Sequence, residues 1–183
     1  MAVIDQHVTW RKVEERLERE DAPVLRRNLE MLLKHMKAEA ALDLPTLMST
    51  VSERAIYRNF TPEGSFGPVG KAAVRQFYED LAASGADKLQ LDVDRLVVDR
   101  DCILTEGVMR IAYPGRALRA VGIDVDDPDA SYLYETRMAV IWPIDEEGRF
   151  IGEDTYTAGD GFAGIAERKL DPTVIVSCRP SAV

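Results

Sequence analysis

Apolar residues in the first half of the chain recur every three or four positions, the spacing of one face of an α-helix. The first twenty residues carry such a stripe and predict a helix, which Pro23 ends. A second stripe predicts a helix from there to about residue 41, and a short third helix begins near Pro45. A fourth helix is predicted over residues 70–83, with Val74 and Phe77 in its apolar stripe.

The second half of the chain has the patterns of β-strands. Residues 55–60 predict a first strand, and longer strands are predicted at 89–98, 102–113, 132–142 and 150–157. The acidic segments 99–101 and 145–148 predict hairpin turns, and 114–130 predicts a long loop. Residues 174–176 are compatible with an additional edge strand. Helices followed by hairpin-joined antiparallel strands indicate an α+β fold.

The composition narrows the classes of function. The 183 residues include 23 Lys and Arg against 32 Asp and Glu, a formal charge of −9 at pH 7. We therefore expect no nucleic-acid partner and no docking on a membrane, because both need a basic surface. The 2 cysteines are too few for a disulfide framework or a zinc site, and the N-terminus lacks the layout of a signal peptide. We expect one cytoplasmic domain without metal or cofactor.

The order of elements adds a family resemblance. The helix that begins VGKAAVRQFY at 69–78 and the final strand GEDTY at 152–156 resemble the nuclear-transport-factor-2-like, or SnoaL-like, superfamily. The resemblance covers residues 24–157 and leaves 1–22 as a helical extension and 158–183 as a tail. It implies a cone-shaped curved antiparallel sheet wrapped on the helices, an apolar pocket inside, and a homodimer through the sheet. Members include several enzyme classes and non-enzymes, so the fold decides no chemistry.

Two strands are locally similar to those of limonene epoxide hydrolases. The segment IYRNF at 56–60 is similar to their Tyr-x-Asn strand, which holds the attacking water. Since residues two apart on a strand share a face, Tyr57 and Asn59 are expected to line the pocket together. The segment ILTEGVM at 103–109 is similar to a second strand of that family, which places Thr105 and Met109 on the pocket side.

The same resemblance also excludes epoxide hydrolysis by the known triad. The family needs an arginine and an acid on this second strand, but the corresponding positions hold Gly107 and Met109. Its activating aspartate falls on Thr155 or, with a slip of one residue, on Asp154. We therefore expect Thr155 to contact the substrate and not to activate a water.

Two further residues are candidates for proton transfer. A comparison with ketosteroid isomerases places their catalytic aspartate at Asn59, whose amide cannot abstract a proton, and their oxyanion-holding tyrosine at His35. An imidazole that faces a dry pocket can act as base or donor, and the alternative is a buried structural histidine. Glu153 shares a strand face with Thr155 and is the fallback base, unless it faces solvent at the rim.

Other charged residues have structural interpretations. Glu106 and Arg110 are expected on the convex face of the sheet, where Glu135 and Arg137 can join them in ion pairs. The acidic segment 124–129 lacks the glycine and the terminal glutamate of a calcium loop, so we expect a solvated loop.

We predict that this protein binds a small apolar molecule of polyketide, terpenoid or steroid type in an internal pocket. The leading hypothesis is a cofactor-free isomerase, cyclase, lyase or hydrolase. Its predicted catalytic residues are His35 and Glu153, and its predicted substrate-binding residues are Tyr57, Asn59, Thr105, Met109 and Thr155. The alternative is a non-catalytic binding or dimerisation module that kept the pocket.

Overall fold

The computed structural model describes residues 2–179 of the chain. Its helices are α1 (Arg11–Leu17), α2 (Pro23–Ala41), α3 (Leu44–Ser49), α4 (Lys71–Ser84) and α5 (Gly115–Ala120). Its strands are β1 (Ile4–Asp5), β2 (Val51–Thr61), β3 (Gly64–Phe66), β4 (Leu89–Val98), β5 (Cys102–Pro114), β6 (Ser131–Pro143), β7 (Phe150–Thr157), β8 (Lys169–Leu170) and β9 (Ile175–Val176). Residues 180–183, the end of the predicted tail, lie outside the described residues.

Local sequence sets the ends of the two long helices. Pro23 occupies the first turn of α2, where a backbone N–H has no helical partner to lose. That helix ends where Leu42 adopts a left-handed conformation, with φ of 52°. The helix α4 ends at Gly85, whose φ of 77° glycine adopts without steric cost. Between these ends, α2 runs for 19 residues and α4 for 14, enough for each to cross the sheet.

The main sheet is curved, mixed and open. Its strands follow the order β3–β2–β7–β6–β5–β4, and β8 pairs with β6 beside this path. All neighbours are antiparallel except β2 and β7, which run parallel. The longest pairing joins β5 to β6, from Cys102 opposite Pro143 to Pro114 opposite Ser131. The strands β1 and β9 form a separate parallel pair.

The helices pack on one face of this sheet. The apolar stripe of α2, with Leu29, Leu32 and Met36, packs against Trp142 and Phe150 from the sheet. The helices α3 and α4 form a second buried cluster with β2. The predicted α+β class is confirmed. None of the helices described between residues 2 and 179 combines the length and the hydropathy that crossing a bilayer requires.

The structure corrects three predicted elements. The helix predicted over the first twenty residues is only α1, because β1 pairs with β9 and the Asp5 side chain accepts from the backbone N–H of His7 at the start of a 3₁₀ turn. The first long strand begins at Val51, whose partner is Phe150. The predicted loop at 114–130 contains α5, whose Leu118 is fully buried.

Candidate functional site

A half-open cavity of about 300 Å³ lies between the helices α2 and α4 and the strands β2 and β4 to β7. This volume is at the small end of the range for ligand sites, which suits a compact ligand. Its wall is predominantly apolar, with methionine and aromatic side chains from both the helices and the sheet. The polar wall residues are Thr9, Glu39, Asn59, Glu153, Thr155 and Thr157.

At one end of the cavity, a hydrogen-bonded cluster joins three elements. Nε2 of His35, from α2, lies 3.3 Å from Oε1 of Glu153, from β7. The hydroxyl of Tyr78, from α4, donates to the same carboxylate oxygen at 3.1 Å and lies 3.3 Å from Nε2 of His35. The hydroxyl of Tyr57 is 3.4 Å from that of Tyr78. Glu153 and Tyr78 reach the cavity wall, and His35 is fully buried behind them.

The surroundings of His35 assign the protons of its ring. The hydroxyl of Thr50 donates to the carbonyl of Leu47 at 2.6 Å and therefore accepts from Nδ1 of His35, at 2.7 Å. Because Nδ1 carries this proton, Nε2 is the ring nitrogen that faces Oε1 of Glu153 and the hydroxyl of Tyr78.

Burial controls the protonation of the other members of the site. Desolvation and the charge of Glu153 raise the pKa of Tyr57 and of Tyr78 well above the usual value, so both phenols stay protonated donors. Desolvation, followed by the charge of Glu153, raises the pKa of Glu39 to about 7, against a small opposite effect of His35. Glu39 therefore changes its charge near neutral pH.

The part of the cavity wall beside β5 and β6 is formed in part by the segment after β7. Phe162 lines the cavity and packs edge-on against Tyr113 and Tyr134, with ring centroids 5.2 and 4.8 Å apart. The guanidinium of Arg168 holds this segment by donating to the carbonyls of Leu133, Gly161 and Ala163 at 2.9, 2.7 and 2.9 Å. A residue of the predicted tail thus belongs to the cavity wall.

Comparison with known proteins supplies the family. The profile of the SnoaL-like domain matches residues 32–127, more than half of the chain. The chain belongs to the SnoaL-like domain family. The match includes α4 and the strands β2, β4 and β5, and it ends before β7, which carries Glu153. The likeness that the element order predicted is therefore confirmed.

Solved structures agree on the fold of this SnoaL-like protein. A Shewanella putrefaciens protein named as a SnoaL-like polyketide cyclase has 13% identity and a TM-score of 0.63, over 85% of this chain and 92% of its own. An NTF2-like protein of Anabaena variabilis has 15% identity and a TM-score of 0.54, over 78% and 96%. TerC, crystallised with polyporic acid, has 12% identity and a TM-score of 0.56, over 77% and 98%. No curated protein gives a significant match.

The predicted site residues differ in whether they line the cavity. Glu153, Asn59, Met109 and Thr155 line the cavity of this SnoaL-like domain. His35 and Tyr57 lie one layer behind the wall, within the hydrogen-bonded cluster.

Thr105 is outside the cavity wall, contrary to the expectation that it contacts the ligand. It is fully buried and accepts a hydrogen bond from Nε1 of Trp142 at 3.0 Å. The indole of Trp142 lines the cavity in its place. Thr105 therefore fixes the orientation of a wall residue.

Gly107 stands at the position of the arginine of limonene epoxide hydrolases, and it has a steric role here. A Cβ on Gly107 would lie 2.0 Å from the backbone carbonyl oxygen of Asp92, beside the point where the register of β4 shifts between Val93 and Arg95. Glycine often marks a bulge or a close approach of two backbones, and here the approach leaves no room for a Cβ. Gly107 is thus required by the strand pairing.

The sequence analysis did not predict two residues of the site, the acidic Glu39 and the aromatic Tyr78. Glu39 lies one helical turn after His35, so it shares the helix face that points to the cavity. That spacing is a usable signal. Tyr78 belonged to the apolar stripe of its helix, where only its hydroxyl distinguished it from a packing residue.

Charged residues outside the cavity form ion pairs. On the outer face of the sheet, Glu106 pairs with Arg95 at 2.7 Å and with Arg137, and Arg110 pairs with Glu135 at 2.7 Å. Asp127, in the loop before β6, pairs with Lys169 of β8 at 2.9 Å. Within residues 2–179 no group of three His, Cys, Asp or Glu side chains is placed to hold a metal ion.

Proposed function

We propose that this SnoaL-like protein binds a small apolar molecule in the half-open cavity and transforms it by transfer of a proton through Glu153. The observation that carries the proposal is the 3.3 Å contact between Glu153 and His35 at the wall of an apolar cavity. A carboxylate at the wall can take a proton from a ligand and become the neutral acid, and an imidazole behind it can orient the carboxylate for that transfer.

The roles follow from the positions of the groups. Glu153 lies in the wall and is the proposed catalytic base. His35 lies behind it, is oriented by Thr50, and is the proposed positioning residue that stabilises the charge on Glu153. Tyr78 donates to Glu153 and is also part of the wall, so it can move its hydrogen bond to an oxygen of the ligand.

The wall next to Glu153, two residues further along β7, offers groups that orient the ligand. Asn59 and Thr155 are neighbours in the parallel pairing of β2 with β7, and both line the cavity. Their amide and hydroxyl can bind one polar group of the ligand at a fixed distance along β7 from Glu153. The proposed substrates are enolisable ketones or related carbon acids on an apolar skeleton of polyketide, terpenoid or steroid type.

Exchange of a ligand C–H for deuterium tests this proposal without knowledge of the natural substrate. A set of small enolisable ketones is incubated with the protein in deuterium oxide, and exchange is followed by proton NMR. We expect catalysed exchange for the ketones that bind, and Glu153→Gln to slow it about 10²–10⁴-fold while binding persists. Loss of His35 is expected to change the pH profile of exchange more than ligand affinity.

The matched control is Glu135→Gln, which removes a carboxylate from the outer face of the sheet. Exchange at the wild-type rate in Glu153→Gln would contradict the assignment. Binding without exchange in the wild-type protein would instead support the non-catalytic alternative.

We also propose a homodimer through the outer face of the sheet. Tyr156 stacks on Phe60 there with ring centroids 4.6 Å apart and is 44% exposed, and Val97 on the same face is 58% exposed. Ion pairs around Glu106 flank these apolar groups. A second copy that covers this face removes apolar surface from water. The proposed location is the cytoplasm, where a reducing environment keeps Cys102 and Cys178 as the free thiols of the structure.

A further inference from the structure

The cavity wall has an unusual combination of aromatic rings and negative charge. Six of its residues are aromatic: Phe77, Tyr78, Tyr113, Tyr134, Trp142 and Phe162. Its charged residues are two carboxylates, Glu39 and Glu153, and no Lys or Arg of the described part of the chain lines it. The nearest basic group is His35, whose ring contacts Glu153 from behind the wall.

This wall favours a positively charged ligand. The faces of aromatic rings attract cations, and the attraction grows when the cation leaves water. A carboxylate in a site of low polarity attracts a cation more strongly than it does in water. An anionic ligand is disfavoured, because the two carboxylates repel it and no Lys or Arg among the described wall residues compensates for this repulsion. A neutral ligand gains only the burial of its apolar surface.

We propose that the ligand of this cavity is an apolar ammonium ion, held between the aromatic rings and the carboxylates of Glu39 and Glu153. This inference rests on the proposed function, because it names the class of molecule that occupies the same cavity. The ammonium group is a second polar group of that ligand, beside the one that Asn59 and Thr155 are proposed to orient, and the apolar skeleton contacts the rest of the wall.

The titration of Glu39 couples binding to pH. Four ionisable groups face Glu39 across the site: Glu153 from β7, His35 from α2, Tyr78 from α4 and Tyr57 from β2. A bound cation stabilises the ionised carboxylate and lowers the pKa of Glu39 from about 7. Binding of a permanently charged cation should therefore release protons, and its affinity should rise with pH between 6 and 8.

Three probes of equal shape and different charge test the inference. Benzyltrimethylammonium carries a permanent positive charge, neopentylbenzene is its neutral carbon analogue, and phenylmethanesulfonate is its anionic counterpart. Isothermal titration calorimetry in phosphate and in HEPES buffer measures affinity and proton release for each probe. We expect the cation to bind about tenfold more tightly than the neutral probe, and the anion to bind least. The affinity for the cation should rise about fivefold from pH 6 to pH 8.

Variants identify the groups responsible. Glu39→Gln should reduce both the preference for the cation and its dependence on pH, and should leave the affinity for neopentylbenzene unchanged. Glu153→Gln should reduce the preference for the cation, and it should also move the proton release by Glu39 to lower pH, because the charge of Glu153 helps to raise the pKa of Glu39. Glu135→Gln, on the outer face of the sheet, is the control for a general effect of protein charge and should behave as the wild type.

The relative affinities of the three probes show whether this inference fails alone or together with the proposed function. Equal affinity for the cationic and the neutral probe would overturn the inference and leave an apolar binding site intact. Tighter binding of the anion would overturn it as well. If none of the three probes binds to the folded protein, both the inference and the binding part of the proposed function fail.

Discussion

Oε1 of Glu153 lies 3.3 Å from Nε2 of His35, although the last long strand supplies the first residue and the second helix supplies the other. The contact depends on the packing of α2 across the sheet, which brings His35 edge-on to Trp142 and Phe150 with ring centroids 5.5 and 5.3 Å apart. These rings exclude water from the imidazole on its apolar sides. The polar contacts of the ring are those with Glu153, Tyr78 and Thr50.

The hydrogen bond from His35 to Thr50 predicts the tautomer of the ring. Nitrogen-15 NMR should find the proton on Nδ1 when the imidazole is neutral, because Thr50 accepts there. Thr50→Val keeps the shape of the side chain and leaves Nδ1 without a partner, which should lower the free energy of unfolding by about 1–3 kcal/mol. Thr50→Ser keeps the hydroxyl and should lose less. Equal stability of the valine and serine variants in urea unfolding would contradict the assigned bond.

Glu39 predicts a pH dependence of stability with a definite sign. Its pKa rises from 4.5 to about 7 on folding, so the folded protein holds this proton more tightly than the unfolded chain. The contribution of the protonated Glu39 to the free energy of unfolding is complete below pH 4.5, and it is lost as the pH rises to 7 and above. Glu39→Gln should therefore gain stability relative to the wild type between pH 5 and pH 8, on the order of 1–3 kcal/mol.

Urea unfolding at both pH values measures this difference. Glu63→Gln, in the exposed turn between β2 and β3, is the control and should follow the wild type at both values. A constant difference between Glu39→Gln and the wild type would mean that Glu39 does not titrate in this range.

The close approach of β4 to β5 predicts the effect of a single methyl group. Gly107→Ala places a Cβ 2.0 Å from the carbonyl oxygen of Asp92, so the strands must separate. We expect a loss of at least about 2 kcal/mol in the free energy of unfolding. Gly159→Ala is the matched control, since no atom lies within 4 Å of its Cβ. Thermal unfolding that places both variants at the wild-type midpoint would refute the steric role of Gly107.

The proposed dimer predicts a change of mass in solution. Tyr156→Glu places a charge in the centre of the apolar outer face and should raise the dissociation constant of the dimer at least about tenfold. Val121→Glu introduces the same charge at another exposed position, after α5, and should leave the dimer unchanged. Sedimentation velocity over a concentration series distinguishes the two variants. A wild-type protein that sediments as a monomer at all concentrations would exclude the proposed dimer.

The long strands could be predicted from the sequence because their alternation is a local property. The predicted strands at 89–98 and 150–157 match β4 and β7 at both ends, and β5 and β6 differ by one residue at their ends. The element α5 was missed, since Pro114 and Gly115 suggested a loop and the burial of Leu118 depends on distant residues. The local pattern of apolar residues therefore locates β4 to β7. The start of β2 and the short helix α5 depend on contacts with residues distant in the sequence.

The candidate site was less predictable than the fold. The parity of β2 and β7 placed Asn59 and Thr155 on the cavity side, but parity could not distinguish Met109 in the wall from Thr105 behind Trp142. Depth within a core depends on the size of the neighbouring side chains, which a strand pattern does not encode. The role of Phe162 depends on a turn after β7, and no local pattern predicts that the chain folds back there.

The guanidinium of Arg168 joins the segment after β7 to β6 through the carbonyls of Gly161, Ala163 and Leu133. A shortened form of the chain that stops at residue 157 would retain the full main sheet apart from β8, and yet would lack Phe162 and this anchor. Such a truncation should fold around an open bowl in which aromatic ligands exchange faster. Relatives that share the sheet but differ after its last long strand can therefore differ in which molecules they retain.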